Sequence, residues 1–513
     1  MNNARNFFAR PVVRALLTLM SGAVMALSAP PTALWPLLFV CLSSFYVLLS
    51  PLQGWRAFLS GWLFGFGYFL IGLYWIGNAL LVPGNEFKWV WPLAIVGLPI
   101  GLAIFTGLAA LAATRWGDFK TWRGYCVFVF CLMASEWLRG NILTGFPWNL
   151  YGYAWGHSPA MVQSASVFGV YGLTFLTALW ACVPGALYLQ RAKPAQWAVS
   201  GLIVILSMAA LYGWGAMRLK DHPVQERNDV IVRVVQPNIP QQDKANPDLL
   251  IPNLRKLIEA SAAPFVPGKT YAIIWPETAV SDYVMQDANV SDFIRKALMY
   301  DGANHFIIAG TLRHEDTADG KTSYYNSLVT YDNRLQPVSS YDKAHLVPFG
   351  EYIPFKDHIP LHPFVRFAGF TPGKGIATQS VSTLPPYSGL VCYEVIFQGE
   401  VSVNTPRPAW MINVTNDGWY GNSPGPYQHL TMAVFRAVEE GIPLIRSANT
   451  GISAIIDPYG RITKRIEYGV AGYADSPLPA AAAGTWFNIF GRYIILLWMG
   501  ILFGLIFALR KPY

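Results

Sequence analysis

Three polar residues stand where apolar runs end. Glu277 follows Ile273-Ile274-Trp275-Pro276, Cys392 follows Gly389-Leu390-Val391, and Lys343 lies in Tyr341-Asp342-Lys343-Ala344-His345-Leu346. In layered α/β proteins, side chains at strand ends point into the crevice where ligands bind. A thiol needs a base to become a thiolate at neutral pH. A carboxylate such as Glu277 takes that proton if a partly apolar site raises its pKa. Acyl transfer develops an oxyanion, which a cation such as Lys343 stabilises. Taken singly, each residue has a plainer reading. A Cys after an apolar strand is a small buried hydrophobe, a Glu after Trp-Pro is a turn residue, and a Lys beside Asp342 is a solvated surface pair. The combination favours covalent acyl transfer, because Cys392 is the one thiol of its polar segment.

Other chemistries find less support. The eight His include no HExxH motif, so neither a metal site nor a cofactor is expected. There is no GxSxG elbow, no phosphate-binding glycine loop and no GxGxxG. His345 reads as a structural hydrogen-bonding residue, and His429 as a residue that stabilises the start of its helix. No basic run with interleaved aromatics points to nucleic acid.

These residues lie in a chain of 513 residues that is 53% hydrophobic and 13% charged. Soluble domains carry about twice that share of charge, so a membrane protein is expected. A bilayer span needs about 20 apolar residues. Candidates are Leu16–Leu27, Leu34–Leu49, Ala57–Leu81, Trp89–Ala112, Tyr125–Leu138, Val162–Leu189, Ala198–Trp214 and Tyr493–Leu509. The first and fifth are short, and the first follows Arg5, Arg10 and Arg14 as a retained signal anchor would. Arg56, Arg115, Lys120, Arg123, Arg191 and Lys193 fall in one set of loops, against Lys88 and Arg139 in the other. With basic termini (Arg510 and Lys511 at the end), this places both ends in the cytoplasm and the large polar segment outside. Glu136 and Arg139 read as a local pair at the membrane interface. Thr144-Gly145-Phe146-Pro147-Trp148 has the breakers and aromatics of an interfacial lid.

The expected organisation is a seven-span bundle over 1–218, an extracytoplasmic catalytic domain over 219–484 and a final span over 485–513. In the polar segment, Val230–Val235, Ala272–Trp275, Phe306–Ala309, Ser327–Tyr331, Leu390–Cys392, Trp410–Val414 and Ser453–Ile456 read as strands. Leu249–Ala262, Ser291–Tyr300 and Tyr427–Glu440 read as helices. Leu384–Gly389 and Pro477–Gly484 read as turns or linkers. The alternation gives a layered α/β domain.

The strings around Trp275-Pro276-Glu277, Lys343 and Val391-Cys392-Tyr393-Glu394 resemble the Glu-Lys-Cys triad of the nitrilase superfamily. Longer strings, "HLVPFGEYIP" (His345–Pro354), "NDGWYG" (Asn416–Gly421), "GPYQHL" (Gly425–Leu430), "LIRSANTGISAIIDPYG" (Leu444–Gly460), "SEWLRG" (Ser135–Gly140) and "LTGFPW" (Leu143–Trp148), resemble the apolipoprotein N-acyltransferase family of Gram-negative bacteria. The resemblance implies an αββα sandwich on a bundle of about eight spans in the inner membrane, facing the periplasm. It implies a phospholipid acyl donor, a diacylated lipoprotein acceptor and no cofactor. Glu277 would be the base, Cys392 the nucleophile and Lys343 the oxyanion partner. Glu351, Tyr393 and Glu394 would support the site, and Tyr325-Asn326, Trp419, Gly145 and Phe146 would line the pocket or its lid. One departure is that Ala245 follows Lys244 where some relatives carry Trp. A membrane-anchored amidase or nitrile hydrolase of the same superfamily is the runner-up. A transporter with an accessory domain finds little support, for want of mid-span charges.

Overall fold

The computed structural model describes residues 10–244, 246–316, 320–354 and 369–509. Arg5, Ala245, Arg510 and Lys511 lie outside them. The chain forms two compact units: Met1–Gly77 with Trp91–Asp221 and Ile489–Tyr513, and Asn78–Val90 with His222–Asn488.

The first unit is helical. Its long elements are Pro11–Met25, Pro36–Leu49, Gly54–Leu73, Trp91–Trp116, Trp122–Asn141, Ala165–Leu189, Pro194–Asp221 and Ile494–Ala508. Among the described residues, six helical runs are long and apolar enough to cross a membrane. Pro36–Leu49 is apolar but shorter, and Trp122–Asn141 carries Arg123, Glu136 and Arg139. Small residues set the packing, as lipid offers no hydrophobic drive between helices. A Cβ on Gly22 would sit 1.9 Å from the Phe64 carbonyl oxygen, and one on Gly61 2.5 Å from that of Thr106.

Glu136 and Arg139 form the expected local pair. Both side chains are fully buried and pair at 2.5 Å. Arg139 also donates to the carbonyl oxygens of Phe146 and, at 2.9 Å, Trp148. The pair therefore anchors the loop after its own helix, where Gly145 takes the left-handed φ of +71°.

The second unit is an α/β sandwich of two six-stranded sheets. The first sheet runs β12-β1-β2-β3-β4-β5, from β1 (Glu226–Gln236), β2 (Thr270–Ser281), β3 (Phe306–Asp316), β4 (Thr322–Tyr331), β5 (Pro337–Asp342) and β12 (Gly472–Pro479). The second runs β11-β10-β9-β8-β7-β6, from β6 (Thr378–Val381), β7 (Leu384–Val391), β8 (Trp410–Thr415), β9 (Leu444–Ala448), β10 (Ser453–Ile456) and β11 (Ile462–Ile466). The period of two along β1 builds both faces. Val230, Val232 and Val234 meet Val391, Ile412 and Ile445 between the sheets. Ile231 and Val235 instead face an outer layer that contains Leu254 and Leu257 of α1 (Leu250–Ser261) and Ile294 and Leu298 of α2 (Ala288–Leu298). The helix α3 (Gly425–Glu440) packs on the second sheet at β9.

Of two segments read as turns or linkers, one is a strand and the other begins as one, with 480–484 remaining irregular. Leu384–Gly389 belongs to β7 and Pro477–Pro479 to β12. Proline lacks the ladder donor, but β7 pairs with β8 only from Tyr387 onward, beyond Pro385 and Pro386. The strand β12 is an edge strand, where proline is tolerated.

Candidate active site

The three candidate residues leave the sheets at irregular points. The pairing of β2 with β3 slips between Trp275 and Val280, so Glu277 sits in a bulge rather than in the ladder. Gly310 on β3 permits this, since a Cβ there would lie 2.4 Å from the Glu277 Cα. Cys392 follows β7 with φ +52°, a left-handed conformation rare for a non-glycine residue and concentrated at functional sites. Lys343 follows β5, and its backbone N–H donates to the Asn326 carbonyl at 2.8 Å.

Their side chains are buried, with Glu277 at 6%, Lys343 at 1% and Cys392 at 7% exposure. Asn326 joins the acids: its Nδ2 donates to Glu277 Oε1 at 2.8 Å and to Glu351 Oε1 at 2.9 Å. Glu351 Oε2 accepts from the Val347 N–H and pairs with Lys343 Nζ, each at 2.8 Å. The surface-pair reading of Lys343 with Asp342 fails, because Asp342 turns away to Arg313 and Ser327. Glu277 Oε2 has no hydrogen-bond partner among the described residues, which leaves one carboxylate oxygen open to accept a proton.

Burial pushes the Cys392 thiol up to about 12; the nearby Glu277 carboxylate adds to the shift, and Lys343 and Thr415 oppose it. The resting nucleophile is therefore a neutral thiol that needs a base during attack. Burial alone would lower the Lys343 pKa, but Glu351, Glu277 and Cys392 more than offset this and hold it above its ordinary value. Its ammonium stays charged at any working pH.

Glu394 ties two of these points together. Its carboxylate accepts from the N–H groups of Val391 (2.8 Å), Ala344 (2.8 Å) and His345 (3.1 Å), and from the Tyr341 hydroxyl (2.7 Å). It thus links the turn that bears Cys392 to the loop that bears Lys343. Tyr393 is buried beside it and meets Phe397 and His345 edge-on. The ring of His345 stacks on Phe397 at 3.8 Å.

Sequence reasoning missed a layer behind Cys392. His429 does not cap its helix: Nε2 lies 3.2 Å from the Cys392 carbonyl oxygen and Nδ1 3.0 Å from Asp417 Oδ1. Arg446 donates to Asp417 Oδ2 at 2.7 Å and also bonds the side chain of Asn413. Burial opposes ionisation of Asp417, but Arg446 and His429 hold its carboxyl down at about 2. The His429 pKa is lowered by burial and by Arg446, against the pull of Asp417. A positive φ at Cys392 is the kind of strain such a braced network can hold. No sequence spacing announces it, because the partners lie on β8, α3, β9 and the turn after β8.

Trp419 is half-buried in the turn Asp417–Tyr420, and no hydrogen bond or ring contact joins it to the triad among the described residues. Gly145 and Phe146 belong to the helical unit. A cavity of about 420 Å³ is lined by Asn78, Val82, Pro240, Gln241, Gly418 and Tyr468; among the described residues, no triad member lines it.

The fold and the buried acid, amine and thiol define a membrane protein with a carbon-nitrogen hydrolase domain. Residues 231–486 match the carbon-nitrogen hydrolase family, and residues 21–183 match the apolipoprotein N-acyltransferase N-terminal domain. The apolipoprotein N-acyltransferase of Rhodopseudomonas palustris is 38% identical, over 97% of this chain and 96% of its own. That of Brucella melitensis is 39% identical, over 92% and 91%. A solved amidase from Nesterenkonia sp. is similar at 17% identity, covering 54% of this chain and 98% of its own, with a TM-score of 0.35. The chain belongs to the apolipoprotein N-acyltransferase family and is an acyltransferase.

Proposed function

We propose that Glu277, Lys343 and Cys392 carry out a two-step acyl transfer. Glu277 Oε2 takes the thiol proton as Cys392 Sγ attacks the sn-1 ester carbonyl of a phospholipid. Lys343 stabilises the oxyanion, and the lysophospholipid leaves with the proton returned by Glu277. The α-amine of a diacylglyceryl-cysteine lipoprotein then attacks the thioester. Its proton passes to Glu277 and on to the departing thiol, leaving an amide and free Cys392. Lys343 suits the oxyanion role because its Nζ has no hydrogen-bond acceptor among the described residues beyond the paired Glu351 carboxylate.

The observation that carries this reading is the open Oε2 of Glu277 in a site that holds both a neutral thiol and a permanent ammonium. The membrane unit suits substrates that are both lipid-anchored. The loop charges support cytoplasmic termini in the inner membrane, with 219–484 periplasmic between the bundle of 1–218 and the last helix of 485–513. Phospholipid-to-lipopeptide transfer by single Cys→Ala variants tests the reading. Cys392→Ala should abolish transfer in a folded protein, while Cys41→Ala, Cys126→Ala, Cys131→Ala and Cys182→Ala remain active. Near-normal transfer by Cys392→Ala would end the assignment.

A further inference from the structure

Lys244 has no part in the two steps above, yet it touches the backbone that carries the base. It closes the single helical turn Gln241–Lys244. Its Nζ donates to the Glu277 carbonyl oxygen at 2.7 Å and to Thr278 Oγ1 at 2.9 Å.

Both acceptors are unusual. Glu277 lies in the bulge where β2 has lost its register with β3, and the pairing of β2 with β1 ends at Ile274. Glu277 thus falls outside the paired register of both neighbouring strands, and a lysine donates to its carbonyl. Thr278 has φ +46°, a left-handed conformation that a β-branched residue keeps only when its surroundings hold it. Gly310 bounds the same backbone from the side of β3, where the space for a Cβ is filled by Glu277 Cα and the Pro276 carbonyl. The base is thus set by a glycine on one strand and a lysine from outside the sheet.

Charge points the same way. Burial lowers the Lys244 pKa to about 8, while Glu277 and Cys392, the acidic groups that face it from β2 and from the turn after β7, pull it back up. A cation that feels both groups stabilises the single negative charge, on the Glu277 carboxylate before the proton moves and on the Cys392 thiolate after it.

We propose that Lys244 is a positioning residue for the general base, fixing the Glu277-Thr278 backbone in its bulge and adding a second cation beside the carboxylate and thiol. The inference rests on the reading of Glu277 as base and Cys392 as nucleophile.

The test uses the full-length enzyme in detergent. Two readouts are taken across pH: alkylation of Cys392 by a maleimide, and release of lysophospholipid from acyl-labelled phospholipid without acceptor. Lys244→Met should lower the acylation rate by about tenfold or more, the equivalent of one hydrogen bond to a charged group. It should change the KM for phospholipid little and move the alkylation profile to higher pH. Lys244→Arg should recover much of both, which a merely structural lysine would not require. Thr278→Val removes one acceptor in nearly the same volume and decides the matter should Lys244→Met fail to fold; a displacement in the same direction supports the proposal. Profiles of Lys244→Met or Thr278→Val that superimpose on the wild type, while Glu277→Gln moves them, overturn the role of Lys244 alone. A Glu277→Gln profile that also superimposes overturns the assignment of the base.

Discussion

Asn326 holds the two carboxylates of the site with one amide group, and Asn326→Asp is the cleanest way to ask what that is worth. The substitution keeps the shape and removes both Nδ2 protons, at 2.8 Å from Glu277 Oε1 and 2.9 Å from Glu351 Oε1. Each is a hydrogen bond to a charged acceptor, of about 1.5–3 kcal/mol. The new carboxylate would also face two others in a buried space. The lost interactions sum to about 3–6 kcal/mol, or about 10²–10⁴-fold if all of it falls on the orientation and charge of the base. General-base catalysis itself contributes about 10²–10⁴-fold, so the loss cannot greatly exceed that. Transfer from phospholipid to a diacylated lipopeptide should therefore fall by about 10²–10⁴-fold. Cys392 should remain open to slow alkylation, because the turn that carries it is held separately by Glu394 and His429. A loss below about fivefold would refute the reasoning, since it would mean that the clamp is energetically idle.

Glu394→Gln should destabilise the catalytic unit by about 2–5 kcal/mol, because it removes the charge that four donors share and sets an amide NH2 against the Val391 N–H in place of the accepting Oε2. Thermal unfolding in detergent checks this, with a drop of about 5 °C or more expected. Asp417 is held at about 2 against an ordinary 3.8, so its folded pKa is depressed. Its contribution of about 2 kcal/mol is present above pH 4 and lost as pH falls toward 2. Acid unfolding should show that loss in the wild type and not in Asp417→Asn.

Much of the site was legible because its residue types are rare where they stand. Glu277 and Cys392 interrupt apolar strands, and their neighbours form long strings that chance does not repeat. The bulge at Glu277 and the left-handed turn at Cys392 were not legible, because they depend on strand register and on Gly310 across the sheet. Lys343 beside Asp342 looks like a surface pair in one dimension, and only the fold sends Asp342 to Arg313 and Lys343 to Glu351. The prolines of β7 and β12 hid two strands because their tolerance depends on which neighbour a strand lacks at that point. The burial of the Glu136–Arg139 pair was not legible either, because it follows from the return of the Phe146–Trp148 backbone onto the guanidinium. The layer of Asp417, His429 and Arg446 gathers three separate segments, and no local pattern encodes it.

The central claim is a covalent acyl-enzyme on Cys392. Purified protein incubated with acyl-labelled phospholipid and no acceptor should accumulate hydroxylamine-sensitive label on Cys392 and release lysophospholipid in equal amount. Adding a diacylated lipopeptide should then discharge the label into an amide. If no label accumulates, and lysophospholipid appears only once the lipopeptide is present, direct transfer within a ternary complex contradicts the covalent route.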